Sequence, residues 1–272
     1  MTKFKNMLIL AIASLLILTA CSGQENTDSS ANSTAESTEK NSSEEGKGKA
    51  LEDGVLDLAT NAAFPPYEFY EGEKMVGIDI EIAEAISQYL GYELKMHDME
   101  FANIIASIEN GKVDGGIAGM SVSPDRQENA DFSAAYAKSV QLIILTKDSP
   151  IQSIDDLEGK KIGAQMGTTG AIYAADDFGE ENVQSFNTHA DAIMAMQSKN
   201  VDAVICDEQT AKSFLETNDE LKVMDTAYSE EEYAIALSKG NKELLDEVNE
   251  ALKVLTEDGT IQKIIDKYIK AE

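Results

Sequence analysis

From Val55 onward the chain alternates between two hydrophobic periods. Short β-rich runs at Val55–Thr60, Tyr92–His97, Val113–Ala118, Val140–Thr146, Lys161–Gln165, Val201–Cys206 and Tyr233–Leu237 predict strands. Between them apolar residues recur at three- and four-residue spacing: Ile78, Ile82, Ala85, Ile86 and Tyr89, then Ile104, Ile105 and Ile108, and near the end Leu244, Leu245, Val248, Leu252 and Leu255. That spacing predicts amphipathic helices, and Gly91, Gly111 and Gly259 stand where such helices stop. Strands alternating with helices predict an α/β fold with largely parallel sheets, in which ligands sit beyond the carboxyl ends of the strands.

The first fifty residues follow neither period. Lys3 and Lys5 precede an apolar run, Met7 to Leu18, that ends in Leu18-Thr19-Ala20-Cys21. A charged start, a short apolar segment and small residues before a cut describe an export signal, and the run is too short to span a bilayer. Leu18 to Cys21 resembles the bacterial lipobox, which implies that Cys21 heads the mature chain and carries a lipid at the outer face of the cell membrane. Residues 22–50, rich in Ser, Thr, Asn, Glu and Lys, bury too little apolar surface to fold and read as a disordered tether. About 220 residues remain, enough for two modest lobes or one large domain, and composition does not choose between them.

Composition removes several functions. A formal net charge of −28 argues against nucleic acid or anionic lipid as a partner, because both are bound by Lys and Arg neutralising phosphate. With Cys21 taken by lipid, Cys206 is left without a disulfide partner and reads as a packed thiol. His97, His189 and one thiol are too few for a His/Cys metal site, and no metal or cofactor is expected.

The chemistry-bearing residues fall at strand ends. Val55–Thr60 runs into Asn61-Ala-Ala-Phe64-Pro-Pro-Tyr-Glu-Phe69, and Glu100-Phe101 follows the second strand. Val113–Ala118 runs into Gly119-Met-Ser121-Val-Ser-Pro-Asp-Arg126, Lys161–Gln165 into Met166-Gly-Thr168-Thr169-Gly170, and Val201–Cys206 into Asp207. A free α-amino acid needs such a set: a guanidinium and helix-start N–H groups for its carboxylate, an acid for its ammonium, and an aromatic slot for its side chain. Each residue also has a plainer use. Arg126 fits a surface ion pair, Asp207 a helix cap, and Phe64 and Phe101 a core.

Taken in order, these segments resemble the extracellular solute-binding proteins, family 3, of polar amino acid ABC importers. The most specific piece is Gly77-Ile-Asp-Ile-Glu-Ile-Ala-Glu-Ala-Ile-Ser-Gln-Tyr-Leu90; Gly115 to Arg126, Asp131-Phe-Ser133, Gly167-Thr-Thr169 and Val201 to Asp207 also match in order. The resemblance implies a two-lobed periplasmic-binding-protein-like fold (type II), with lobe 1 at 51–138 plus 234–272, lobe 2 at 141–230, and a two-segment hinge near Ser139 and Glu232. It implies that Phe64 and Phe101 clamp a ligand side chain, that Gly119, Ser121, Arg126 and Thr169, beside Thr168, hold its carboxylate, and that Asp207 takes its ammonium. Asn61, Gln165 and Glu100 are the candidates for the side-chain end; arginine, lysine, glutamine and cystine all remain open. Permease and ATPase chains would be the partners of a monomeric receptor. Two alternatives share the scaffold: a dehydratase of the cyclohexadienyl type using Glu100 as general acid, and a ligand-sensing surface domain. The receptor assignment requires Arg126 and Asp207 to face one crevice.

Overall fold

The computed structural model describes residues 49–269, so the export signal, Cys21 and almost all of the tether lie outside the described residues. The fold begins at α1 (Ala50–Asp53), where Ala50 is buried and its N–H donates to Asp114 Oδ1 at 3.0 Å. Then come β1 (Val55–Thr60), a three-stranded flap of β2 (Ala63–Phe64), β3 (Glu68–Glu71) and β4 (Lys74–Val76), and α2 (Ile78–Leu90). β5 (Glu93–Asp98), a 3₁₀ turn at Phe101–Asn103, α3 (Ile104–Glu109), β6 (Gly115–Gly116), α4 (Pro124–Asn129) and β7 (Ala130–Phe132) complete the first pass. The long strand β8 (Ala137–Thr146) leads to the second lobe: β9 (Ile162–Gln165), α5 (Thr169–Phe178), β10 (Val183–Phe186), α6 (His189–Gln197), β11 (Ala203–Asp207), α7 (Glu208–Thr217) and β12 (Leu221–Val223). The chain returns through β13 (Ser229–Tyr233) to β14 (Ala236–Ser238), α8 (Lys242–Glu257) and α9 (Thr260–Tyr268).

Each lobe is a sheet covered by helices. The first sheet runs β5-β1-β6-β14-β7 and the second β10-β9-β11-β8-β12, with β13 also paired to β8. In both, three strands are parallel, as βαβ alternation requires, but β14 and β8 enter antiparallel. The expectation of largely parallel sheets therefore holds for the βαβ cores alone, because strands that cross between lobes join each sheet against its direction. Two strand assignments also change. Val113–Ala118 pairs only at Gly115–Gly116, and Tyr233–Leu237 is two strands, since the chain leaves β8 after Tyr233 and joins β6 at Ala236.

The helical periods pack as their spacing demands. Ile78, Ile82 and Ile86 of α2 meet Leu244, Val248 and Leu252 of α8 and Ile261 and Ile264 of α9 in one buried cluster. Along β11 the faces alternate, Ala203 and Ile205 toward one layer, Val204 and Cys206 toward the other. Burying each Ile or Leu is worth about 1.5–3 kcal/mol, so these layers fix the strand ends that carry the site. Gly77 makes the junction between flap and α2 possible. Its φ is +131° and an added Cβ would lie 2.1 Å from the carbonyl oxygen of Tyr67.

Two antiparallel segments join the lobes. Ser139 pairs with Glu231 and Lys138 with Glu232, where β8 and β13 run side by side.

Candidate functional site

The strand ends of both lobes converge on one cavity, whose wall includes Arg126 and Asp207. Arg126 lies in α4, begun by Ser123, whose hydroxyl accepts the Arg126 N–H at 3.3 Å, and by Pro124. Its side chain is 9% exposed; Nη1 donates to the Ser121 carbonyl at 2.6 Å and Nη2 to the Gly167 carbonyl at 2.9 Å. The guanidinium carbon stands 5.2 Å from the centre of the Phe101 ring. Burial pulls its pKa down and nearby Glu231 pulls it back up. Of five N–H donors two are bound to backbone carbonyls, which leaves a charged fork for an anion.

Asp207 ends β11 and caps α7. Oδ1 accepts the Gln209 and Thr210 N–H groups at 2.8 and 3.0 Å, while Oδ2 accepts the hydroxyls of Ser139 and Tyr233 at 2.6 and 3.0 Å. Burial raises its pKa and those four bonds oppose the rise. Capping and cavity lining thus coexist in one side chain. Thr168 caps α5 through its hydroxyl, which accepts the Ala171 N–H at 3.3 Å, and Thr169 begins that helix 3% exposed, so both place a helix start at the cavity.

Gly119 and Ser121 approach from the first lobe. Gly119 donates its N–H to Asp79 Oδ2 at 2.7 Å; it has φ +50°, and an added Cβ would meet Phe64 Cε1 at 2.5 Å. The Ser121 hydroxyl donates to Glu231 Oε2 at 2.8 Å, as does the Gln141 amide at 3.0 Å. Phe64 packs against Tyr67 on one lobe and His189 on the other, with ring centres at 5.3 and 5.5 Å. Arg126 covers Phe101 and His189 lies near Phe64.

The lobes are shut. Besides Arg126 to Gly167, Gln165 Nε2 donates to Asn61 Oδ1 at 2.8 Å, and Asn187 Nδ2 donates to Glu100 Oε1 at 2.9 Å. Asn61 also donates to the Met99 carbonyl at 2.8 Å. Asn61, Phe64, Phe101, Gly119, Ser121, Arg126, Gln165, Thr168, Thr169 and Asp207 therefore share one cavity wall. Glu100 does not. It is exposed at the rim, because the 3₁₀ turn that sends Phe101 inward leaves its neighbour outside, and the acid nominated for a dehydratase is thereby removed from the cavity.

Five further residues line the wall without having been singled out for it: Glu68, Ala118, Gln141, His189 and Tyr233. Glu68 is 0% exposed, and neither carboxyl oxygen meets a donor N–H or O–H among the described residues. Burial, then the charge of Asp79, pushes its pKa well above the carboxylate range. His189, at the start of α6, is 3% exposed with Nδ1 unbonded, and burial lowers its pKa to about 4, so the ring is neutral. In sequence the only signal for Glu68 was its place two residues past Pro66; the signal for His189 was its place after a capping Thr188.

Two α/β lobes thus shut over a cavity whose wall carries a guanidinium, a capped carboxylate and a helix start. Residues 56–271 match the model of the bacterial extracellular solute-binding proteins, family 3, and the chain belongs to that family. It is 31% identical over 248 residues to the arginine-binding extracellular protein ArtP of Bacillus subtilis, covering 88% of this chain and 93% of that one. It is 29% identical to the L-cystine-binding protein TcyJ of Escherichia coli, covering 82% and 86%. Among solved structures it is similar to the arginine-, lysine-, histidine-binding protein ArtJ of Geobacillus stearothermophilus, with TM-score 0.77, 32% identity, and coverage of 80% of this chain and 96% of that one.

Proposed function

We propose that this chain is a lipid-anchored receptor, held at the outer face of the membrane through Cys21, that closes on an L-amino acid with a cationic side chain and presents it to an ABC importer. Lobe boundaries at 51–138 with 234–272, and at 141–230, go with this assignment. The observation that carries it is the joint position of Arg126, Asp207 and Glu68 in one wall. The Arg126 fork suits the α-carboxylate, with the N–H groups at the start of α5 and the Gly119–Ser121 backbone beside it. Asp207 suits the α-ammonium, which would take the place of one of the two hydroxyls now on Oδ2.

Those two poles balance the zwitterion and leave Glu68 over. A buried carboxyl with no donor of its own favours a ligand that brings donors and a positive charge, which selects arginine or lysine above glutamine. Asn61, with Gln165, offers amide oxygens to the same end. Because ligand would touch both lobes, it would hold the closed form against the open one, and a permease would read closure as loading.

Titration calorimetry of the purified chain against the twenty amino acids tests this. Arginine or lysine is expected to bind at least tenfold tighter than glutamine; silence toward all twenty at millimolar concentration would sink the receptor assignment, and preference for a neutral ligand would sink the cationic one.

A further inference from the structure

Glu68 has a neighbour that makes its lack of donors more informative. Asp79, at the start of α2, is also 0% exposed; its Oδ2 accepts the Gly119 N–H and the Tyr136 hydroxyl, each at 2.7 Å, while its Oδ1 is as bare of donors as both Glu68 oxygens. Three carboxyl oxygens thus sit buried in one place without a donor among the described side chains. Two ionised carboxylates side by side in such surroundings repel strongly, and one proton held between them supplies the donor that both lack. The two carboxyls interact as hydrogen-bond partners, which raises Glu68 and lowers Asp79 from the level its burial alone would set, leaving Asp79 near 6. Burial and the neighbouring Asp79 charge both favour the protonated form of Glu68, while Asp79 Oδ2 has the Gly119 N–H and the Tyr136 hydroxyl to hold its charge.

We infer that capture of a cationic amino acid expels this proton, so that the receptor exchanges H⁺ for the positive charge of the ligand side chain. The inference rests on the receptor assignment above. The step balances: Glu68 goes from carboxylic acid to carboxylate, the proton passes to solvent, and the charge of the wall plus side chain is unchanged. The other groups facing the pair are acids, phenols, one guanidinium and one neutral imidazole. Asp98 at the end of β5 and Asp207 at the start of α7 are acids that raise Glu68 further. Tyr67 in the flap and Tyr136 before β8 are phenols that burial keeps protonated. Arg126 from α4 is committed to carbonyls and to the ligand carboxylate, and His189 from α6 is neutral above about pH 4. Without proton loss, a cationic side chain in the cavity would face the uncharged Glu68, while the negative charge of the pair stayed behind it on Asp79, whose Oδ2 is already taken by Gly119 and Tyr136.

The experiment is calorimetric titration of the purified chain with arginine, and separately with citrulline, its uncharged isostere, in phosphate and in Tris at one pH near neutrality. Proton release shows as an observed enthalpy that changes with the ionisation enthalpy of the buffer. Any proton displaced from Asp207 by the α-ammonium is common to both ligands and cancels in the comparison. The expected result is about one more proton released with arginine than with citrulline, and an arginine affinity that rises about tenfold per pH unit relative to citrulline wherever Glu68 starts protonated. Glu68→Gln should abolish that difference and bring the two affinities within about tenfold of each other. Arginine binding with no excess proton release in the wild-type chain overturns the exchange and leaves the receptor assignment standing. Absence of heat from either ligand overturns both. The wild-type comparison decides the matter even if Glu68→Gln fails to fold.

Discussion

Replacing Arg126 by Met separates binding from stability, because the two should move in different directions. In the shut protein the guanidinium is 9% exposed, with Ser121 and Gly167 carbonyls as its bonded partners and the Phe101 ring beneath it. A charge held in that way has given up water for neutral acceptors, and burial lowers its pKa, the sign of a destabilised cation. Met keeps most of the volume and the contact with Phe101, so the empty chain should melt within about 4 °C of wild type, or above it. A ligand carboxylate, by contrast, would lose the one Lys or Arg among the described wall residues. Removing one partner of a buried pair costs about 3–5 kcal/mol, or roughly two to four orders of magnitude in affinity, equally for every α-amino acid. Calorimetry on wild type and variant, with thermal melting of each empty protein, reads both quantities. An affinity within fivefold of wild type refutes the carboxylate role; a melting point more than about 8 °C lower shows that Arg126 holds the fold, and the binding loss would then need no ligand contact.

Gly119→Ala should reduce both affinity and melting temperature, since the backbone at φ +50° and the Phe64 edge at 2.5 Å together cost roughly 1–3 kcal/mol; an unchanged melting curve would contradict the close approach. Glu100→Ala, at an exposed rim contact to Asn187, should alter affinity by less than about fivefold and stability by about 0.5 kcal/mol at most, and a hundredfold loss in calorimetry would return Glu100 to the cavity. His189 titrates near 4 when folded and near 6.5 when unfolded, so the unfolded chain binds more protons between those values and stability falls as pH drops through that window. Denaturant melts at pH 7 and pH 5 should differ by about 2 kcal/mol more in wild type than in His189→Gln, and equal differences would show that the ring is charged in the fold.

What the sequence revealed follows the range of the forces concerned. Asn61, Gln165 and Asp207 were legible because each ends or directly follows a strand, and Gly119 because it sits in the loop leaving β6; the α/β rule then gathers them at one edge. Glu68 was not legible. In Glu-Phe-Tyr-Glu the two acids read as solvated strand ends, and what buries Glu68 is the flap folding over the start of α2 at Gly77, a contact no local pattern encodes. The same applies to His189, which meets Phe64 across the two lobes. Glu100 erred in the other direction, since adjacency to Phe101 suggested a shared direction that the 3₁₀ turn reverses. The antiparallel entries of β8 and β14 were hidden because strand polarity depends on the route between lobes, whereas hydrophobic period records burial alone.

The place of β14 in the first sheet governs when that half can be completed. It lies between β6 and β7, yet it is made after every strand of the other half, and the helices that cover α2 come later still. A chain emerging amino end first can therefore assemble β8 to β12 as a continuous stretch, while the half that starts earlier waits for β14 and the two helices after it. Cleavage near the carboxyl terminus would remove α9 and part of α8, and would strip the oldest-made layer of its cover before touching the younger one.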